Sequence, residues 1–285
     1  MRRALFGPAG SEENFTKQYK SSVYMPEYLH GMGLDAFEYQ CGRGVNISDE
    51  SAAALGRAAK EFGITMSVHS PYYINLSSRE DDRVRKNIGY VLQSCNAAGH
   101  MGAERIVVHC GGLSGRTRQE ALDNTLLNLT DILREMDANG YSDMRLCIET
   151  MGKQSVMGDL DEIITICNHD ERLIPCIDFG HLNARSIGGV SDETSFGGVI
   201  DKLVNGLGYE RASRMHVHFS RIEYSAKGEV RHLTFDDERF GPDPRLISIM
   251  YDKAMYPTVI CESAGTQAQD ALRLKQIYYK KEQEK

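Results

Sequence analysis

The 285-residue sequence has no run of 18 or more apolar residues, so no segment is long enough to cross a bilayer as a helix. The first residues, Met1-Arg2-Arg3-Ala4-Leu5-Phe6-Gly7-Pro8, carry charge but no apolar h-region, and no secretory signal is expected. The seven cysteines (Cys41, Cys95, Cys110, Cys147, Cys167, Cys176 and Cys261) contain no CxxC pair and are odd in number. That pattern suits reduced thiols better than a disulfide frame, so a cytoplasmic location is expected. No low-complexity stretch and no linker rich in Pro, Gly and Ser breaks the chain, and one domain over residues 1–285 is expected. Cationic side chains are in deficit: 33 Lys and Arg against 40 Asp and Glu give a net charge of −7. This excludes a generally basic nucleic-acid coat, though not a local phosphate-binding cleft that holds cations. Nothing points to a membrane, and no protein partner is inferred.

What is present is ordinary globular chemistry: 41% hydrophobic residues plus 27 glycines make up about half of the chain. Short apolar runs recur at Ala4–Phe6, Ala36–Tyr39, Thr65–Val68, Arg105–Val108, Arg145–Ile148, Ile174–Ile177, Met215–Phe219 and Thr258–Cys261. Their spacing is roughly 30 to 40 residues, about the length of one βα unit. Helical patterns lie between them. Ser48 caps a helix that has Asp49 and Glu50 in its first turn and Gly63 as its stop. Val84, Ile88, Val91, Leu92, Cys95 and Ala98 repeat at helical spacing up to Gly99. Thr117-x-x-Glu120 and Asp159-x-x-Glu162 have the form of capping boxes. Eight strands with intervening helices predict an α/β fold, a closed (β/α)8 TIM barrel, with an open doubly wound sheet as the competing architecture.

In such a barrel the chemistry sits at the C-terminal ends of the strands. Read in order, those ends give His69, His109, Glu149, Asp178 with His181 three residues on, the pair His216 and His218, and Glu262. His232, in Glu229-Val230-Arg231-His232, falls between the last two runs. Six of the nine histidines are therefore candidates, while His30, His100 and His169 lie elsewhere. Imidazole and carboxylate are the ligands zinc and similar divalent ions favour, and a carboxylate can bridge two ions. Each such residue alone reads as a satisfied polar group; their concentration at strand ends points to a metal site. Cys41, Cys110 and Cys261 also lie near strand ends, where buried packing is the expected role. Cys110-Gly111-Gly112 and Gly188-Gly189 have the form of phosphate-cradling loops, but such glycine pairs ordinarily just turn the chain. Tyr72-Tyr73 is an aromatic pair suited to stacking on a base or wedging into a duplex.

These segments resemble the endonuclease IV family of apurinic/apyrimidinic endonucleases within the xylose isomerase-like TIM barrels. The likeness is carried by His69-Ser70-Pro71-Tyr72-Tyr73-Ile74-Asn75-Leu76, Val107-Val108-His109-Cys110-Gly111-Gly112 and Ile148-Glu149-Thr150-Met151-Gly152. It continues through Cys176-Ile177-Asp178-Phe179-Gly180-His181, Met215-His216-Val217-His218 and Ile260-Cys261-Glu262-Ser263. The resemblance implies two or three Zn2+ ions, with Mn2+ as the alternative metal. His69, His109 and Glu149 would hold the first; Glu149, Asp178, His216 and Glu262 the second; His181 and His232 the third. It implies hydrolysis of the phosphodiester 5′ to an abasic site in double-stranded DNA, with Glu149 and Glu262 as catalytic carboxylates and Tyr72 and Tyr73 at the DNA. The chain departs from the family where an Asp should precede the last His ligand by two residues: Val230 stands there, and Glu229 or His218 is left to complete the third site. The loop after the second strand, Glu38-Tyr39-Gln40-Cys41-Gly42-Arg43-Gly44, also lacks the family's DNA-contacting pattern. Two other functions share this residue set: a sugar isomerase or epimerase using one metal with Glu149, Asp178, His216 and Glu262, and a metal-binding member without nuclease activity.

Overall fold

The computed structural model describes residues 3–283; Met1, Arg2, Glu284 and Lys285 of the expected domain lie outside the described residues. The eight apolar runs form eight parallel strands: β1 (Leu5–Pro8), β2 (Ala36–Gln40), β3 (Thr65–His69), β4 (Arg105–His109), β5 (Arg145–Glu149), β6 (Leu173–Asp178), β7 (His216–Phe219) and, last along the chain, β10 (Thr258–Cys261). They are near-continuous in apolar character because a barrel strand is buried on both faces, by the lumen inside and by helices outside. The ladder runs β1-β10-β7-β6-β5-β4-β3-β2. It closes between β1 and β2, where the Asp35 N–H donates to the Phe6 carbonyl and the Gly10 N–H to that of Glu38, both at 2.9 Å. The approach there is close enough that a Cβ on Gly7 would lie 1.7 Å from the Ala36 carbonyl oxygen, so only glycine fits. The closed TIM barrel expected from the sequence is the fold.

The helix signals act as read. Ser48 Oγ accepts from the Ser51 N–H at the start of helix Asp49–Phe62, and Gly63 ends it in the left-handed conformation. Both capping boxes form, at Thr117/Glu120 and Asp159/Glu162. The helix Asp81–Met101 runs past the expected stop at Gly99 and ends at Gly102, whose φ of +70° provides the left-handed cap.

One insertion departs from the eightfold pattern. Between β7 and β10 the chain makes an antiparallel hairpin, β8 (Arg221–Ser225) and β9 (Gly228–Leu233). It stands over the C-terminal mouth, tied by a bridge between Lys153 and Gly228.

Candidate metal centre

The strand ends converge at that mouth. Asp178 ends β6 and caps the following helix, Phe179–Arg185, its Oδ1 accepting from the His181 N–H at 2.7 Å. The Asp-x-x-His spacing is thus the distance from a helix cap to its first turn, and it brings both side chains to one place. Glu149, at the end of β5, lies at the junction. Its Oε2 is 3.0 Å from His109 Nε2 and 3.3 Å from His69 Nε2, while its Oε1 is 3.2 Å from His218 Nδ1 and 3.3 Å from His181 Nδ1.

Four groups of potential ligand atoms result, each with its atoms within 4.8 Å of one another: three at the mouth (His69, His109 and Glu149; Glu149, Asp178, His218 and Glu262; His181, Glu229 and His232) and one formed by Cys176, His216 and His218. The ring orientations follow from the partner of each histidine's second nitrogen. A carbonyl oxygen only accepts, so His69 Nδ1 donates to the Ser70 carbonyl (2.7 Å), His109 Nδ1 to that of Tyr72 (3.2 Å) and His181 Nδ1 to that of Thr150 (2.9 Å). In each case Nε2 is the nitrogen left to face an ion, the arrangement that metal-binding imidazoles use.

Charge and burial agree. Burial works to raise Glu149, but the His109 and His218 imidazoles outweigh it and hold the carboxyl well below its usual range. Burial likewise lowers His181 and His218, but carboxylates around them win: Asp178, Glu149 and Glu229 raise His181, and Glu262, Glu38 and Glu149, with Cys176, raise His218. Asp178 Oδ2 is buried with no hydrogen-bond partner, because the nearby His181 Nδ1–H is directed to Thr150. An orphaned carboxylate oxygen grouped with Glu149, His218 and Glu262 is a donor set that fits a divalent cation.

Two expected placements change. His216 does not reach the Glu149 group; it lies deeper in the lumen, fully buried, with Nε2 2.9 Å from Glu38 Oε2, and His218 two residues later takes its place. The two share a face of β7, and the one nearer the strand's C-terminal end is the one at the mouth. At the third group Glu229 supplies the missing carboxylate, while Val230 points to solvent at 53% exposure. Cys41, Cys110 and Cys261 are buried packing residues outside all four groups, their thiols pushed up by burial, Cys41 and Cys261 to about 12. Gly111 and Gly188 adopt positive φ, as chain turns do. Sequence reasoning missed Glu38 and Cys176; the latter groups with His216 and His218. The signal for Glu38 was a charged residue inside an apolar strand, which demands partners.

The rim is aromatic and basic on one side. Tyr72 and Tyr73 are exposed, packed edge to face at 5.6 Å. With Arg83, Lys86 and His109 they line a cavity of about 460 Å³. Exposure rises outward from buried Glu149 to Glu262, Glu229 and His232, whose side chains are 15%, 19% and 27% exposed, so the cluster opens toward the mouth.

Residues 26–277 match the family described as xylose isomerase-like TIM barrel. The chain belongs to that family. An uncharacterized protein of Methanocaldococcus jannaschii is 32% identical over 276 residues, 96% of each chain. A probable endonuclease 4 of Staphylococcus carnosus is 29% identical over 187 residues, 63% of this chain; the chain thus spans 60% of that relative's length. Solved structures of several kinds share the fold. A D-tagatose 3-epimerase-like protein superposes with a TM-score of 0.69 at 20% identity, over 92% of this chain and 96% of that one. Endonuclease IV from Thermus thermophilus superposes with a TM-score of 0.68 at 18% identity, over 99% and 100%. The IOLI protein, solved with a bound zinc atom, gives 0.67 at 14%, over 98% and 99%. Proteins that share this fold thus include an epimerase-like protein, an endonuclease and a protein solved with zinc.

Proposed function

We propose that the protein is a zinc-dependent phosphodiester hydrolase that cuts double-stranded DNA on the 5′ side of abasic sites. The observation that carries this reading is Glu149, whose two oxygens face two different groups of imidazoles. His69, His109 and Glu149 would hold one ion; Glu149, Asp178, His218 and Glu262 a second; His181, Glu229 and His232 a third. Such ions would supply a hydroxide nucleophile at neutral pH and would stabilise charge on the phosphate oxygens. The chain does the rest. Ser70, Tyr72 and Thr150 carbonyls hold three imidazole rings in register, 2.7 to 3.2 Å from Nδ1. Glu262, partly open at the mouth, is placed to accept a proton from an entering group. Tyr72, stiffened by Tyr73, offers an aromatic face to the gap left by a missing base, and Arg83 and Lys86 face the flanking phosphates.

A second reading is sugar isomerisation or epimerisation with one ion in the Glu149, Asp178, His218 and Glu262 group, the two glutamates shuttling protons. It leaves His69, His109, His181, Glu229 and His232 without a task, which favours the hydrolase. Zinc-loaded protein incubated with a duplex carrying one synthetic abasic site is expected to incise on the 5′ side, and chelator to abolish incision. Intact DNA at large enzyme excess would reject the proposal and leave a metal-binding protein without turnover; manganese-dependent turnover of a ketohexose would select the sugar reading.

A further inference from the structure

Beneath the mouth lies a carboxylate that the proposed hydrolysis does not use. Glu38, on β2, is fully buried in the lumen, and four donors surround it: His218 Nε2 (2.9 Å) and Gln40 Nε2 (3.2 Å) at Oε1, His216 Nε2 (2.9 Å) and Ser67 Oγ (2.8 Å) at Oε2. Each Glu38 oxygen accepts two of these hydrogen bonds, so no carboxyl proton is left for either imidazole and Glu38 only accepts. Both histidines therefore carry the proton on Nε2.

For His216 this ends the matter. Its Nδ1 is buried without a partner, so the ring ends at Glu38 and reaches nothing at the mouth. His218 differs. Its Nδ1 faces Glu149 at 3.2 Å and Glu262 at 3.6 Å, so the ring links the lumen carboxylate to the mouth. No Lys or Arg forms an ion pair with Glu38 among the described residues. His218 is thus the side chain that joins Glu38 to the mouth. His69, His109 and His181 are oriented by neutral carbonyls and His232 by the Ser220 hydroxyl, whereas His218 is oriented by a carboxylate whose two oxygens accept four hydrogen bonds.

We propose that Glu38 is a positioning residue: by accepting the His218 Nε2–H it fixes the ring with the Nδ1 lone pair toward Glu149, Asp178 and Glu262, and raises the ring's basicity toward a cation there. This rests on the metal-centre reading above. A carboxylate–imidazole–metal chain of this kind typically contributes about 10- to 100-fold in metal affinity.

The test is zinc affinity by chelator competition, site by site, in the full chain and in Glu38→Gln. Glu38→Gln is expected to weaken one ion about 10- to 100-fold and leave the others within about twofold, whereas a general loss of fold would weaken all of them together. A second measurement needs no variant: long-range 1H–15N NMR of the zinc-loaded, 15N-histidine-labelled protein is expected to show His218 protonated at Nε2 and ligated through Nδ1. Equal affinities in Glu38→Gln, or ligation through Nε2, would overturn the role of Glu38. If the unaltered chain takes up no ion at all, the metal-centre reading falls and this inference with it, an outcome distinct from ions bound indifferently to Glu38.

Discussion

Glu229 and His232 are three residues apart on β9, yet both reach His181. In a regular strand such a pair faces opposite sides. Here Glu229 pairs with Tyr224 and Arg231 with Glu223, leaving Val230 without a partner between them. The extra residue shifts the alternation by one, the usual consequence of a β-bulge, and turns the two side chains to the same face. Deleting Val230 restores the alternation and sends one of them away. The expected result is the loss of one zinc per chain by elemental analysis with an unchanged circular dichroism spectrum; an undiminished count would contradict this use of the bulge.

His216 and His218 separate structure from function on one strand. His218→Ala is expected to lose an ion and the incision activity. His216→Gln is expected to keep every ion while losing about 1–3 kcal/mol of stability, because it disturbs a buried hydrogen-bonded carboxylate. Metal analysis and urea unfolding of the two variants check this, and loss of an ion in His216→Gln would contradict the placement.

The metal-free protein should respond to pH in a definite sense. Burial lowers His69, His181 and His218, but surrounding carboxylates outweigh it and raise all three above 6.5, and a metal must displace the protons they hold. Zinc loading therefore releases protons, and apparent affinity falls as pH falls. Groups raised on folding contribute stability that is complete below the unfolded value of about 6.5 and is lost as pH rises through the folded values. The melting temperature of metal-free protein is expected to fall from neutral to alkaline pH, and that of zinc-loaded protein to fall less. Calorimetry in buffers of different ionisation enthalpy measures the proton count; zero release would contradict the assignment. His216 acts in the opposite sense and in a lower window, between about 4 and about 6.5, where the fold weakens on acidification.

A substrate with a phosphate backbone leaves a signature in salt. Arg83 and Lys86 lie in the first turns of helix Asp81–Met101 and line the cavity beside Tyr72. Arg83→Gln and Lys86→Gln are each expected to reduce the slope of log affinity against log salt for an abasic duplex by about 0.9. Anisotropy titrations at several salt concentrations give the slope, and a flat response in the unaltered protein would favour a small-molecule substrate.

The barrel was legible because its signals are local and repetitive: an apolar run, a cap such as Ser48 or Thr117, and a stop such as Gly63. His69, His109, Glu149, Asp178, His181 and Glu262 were legible because barrel geometry places strand ends together, so position along the chain sufficed. What escaped depended on contacts across the lumen or on register. Two histidines on one face of β7 differ only in depth, which depends on where that strand meets its neighbours. The Val230 bulge is a property of the β8–β9 ladder and cannot be read from β9 alone. Glu38 stood in plain view as a charge within an apolar strand, but its four donors come from β2, β3 and β7, far apart in sequence.

A multinuclear cationic centre sharing Glu149 at the barrel mouth is tested most directly by anomalous diffraction at the zinc edge from crystals of the loaded protein. Three peaks are expected, two of them flanking the Glu149 carboxylate and the third among His181, Glu229 and His232. A single peak, or none between these side chains, would contradict it.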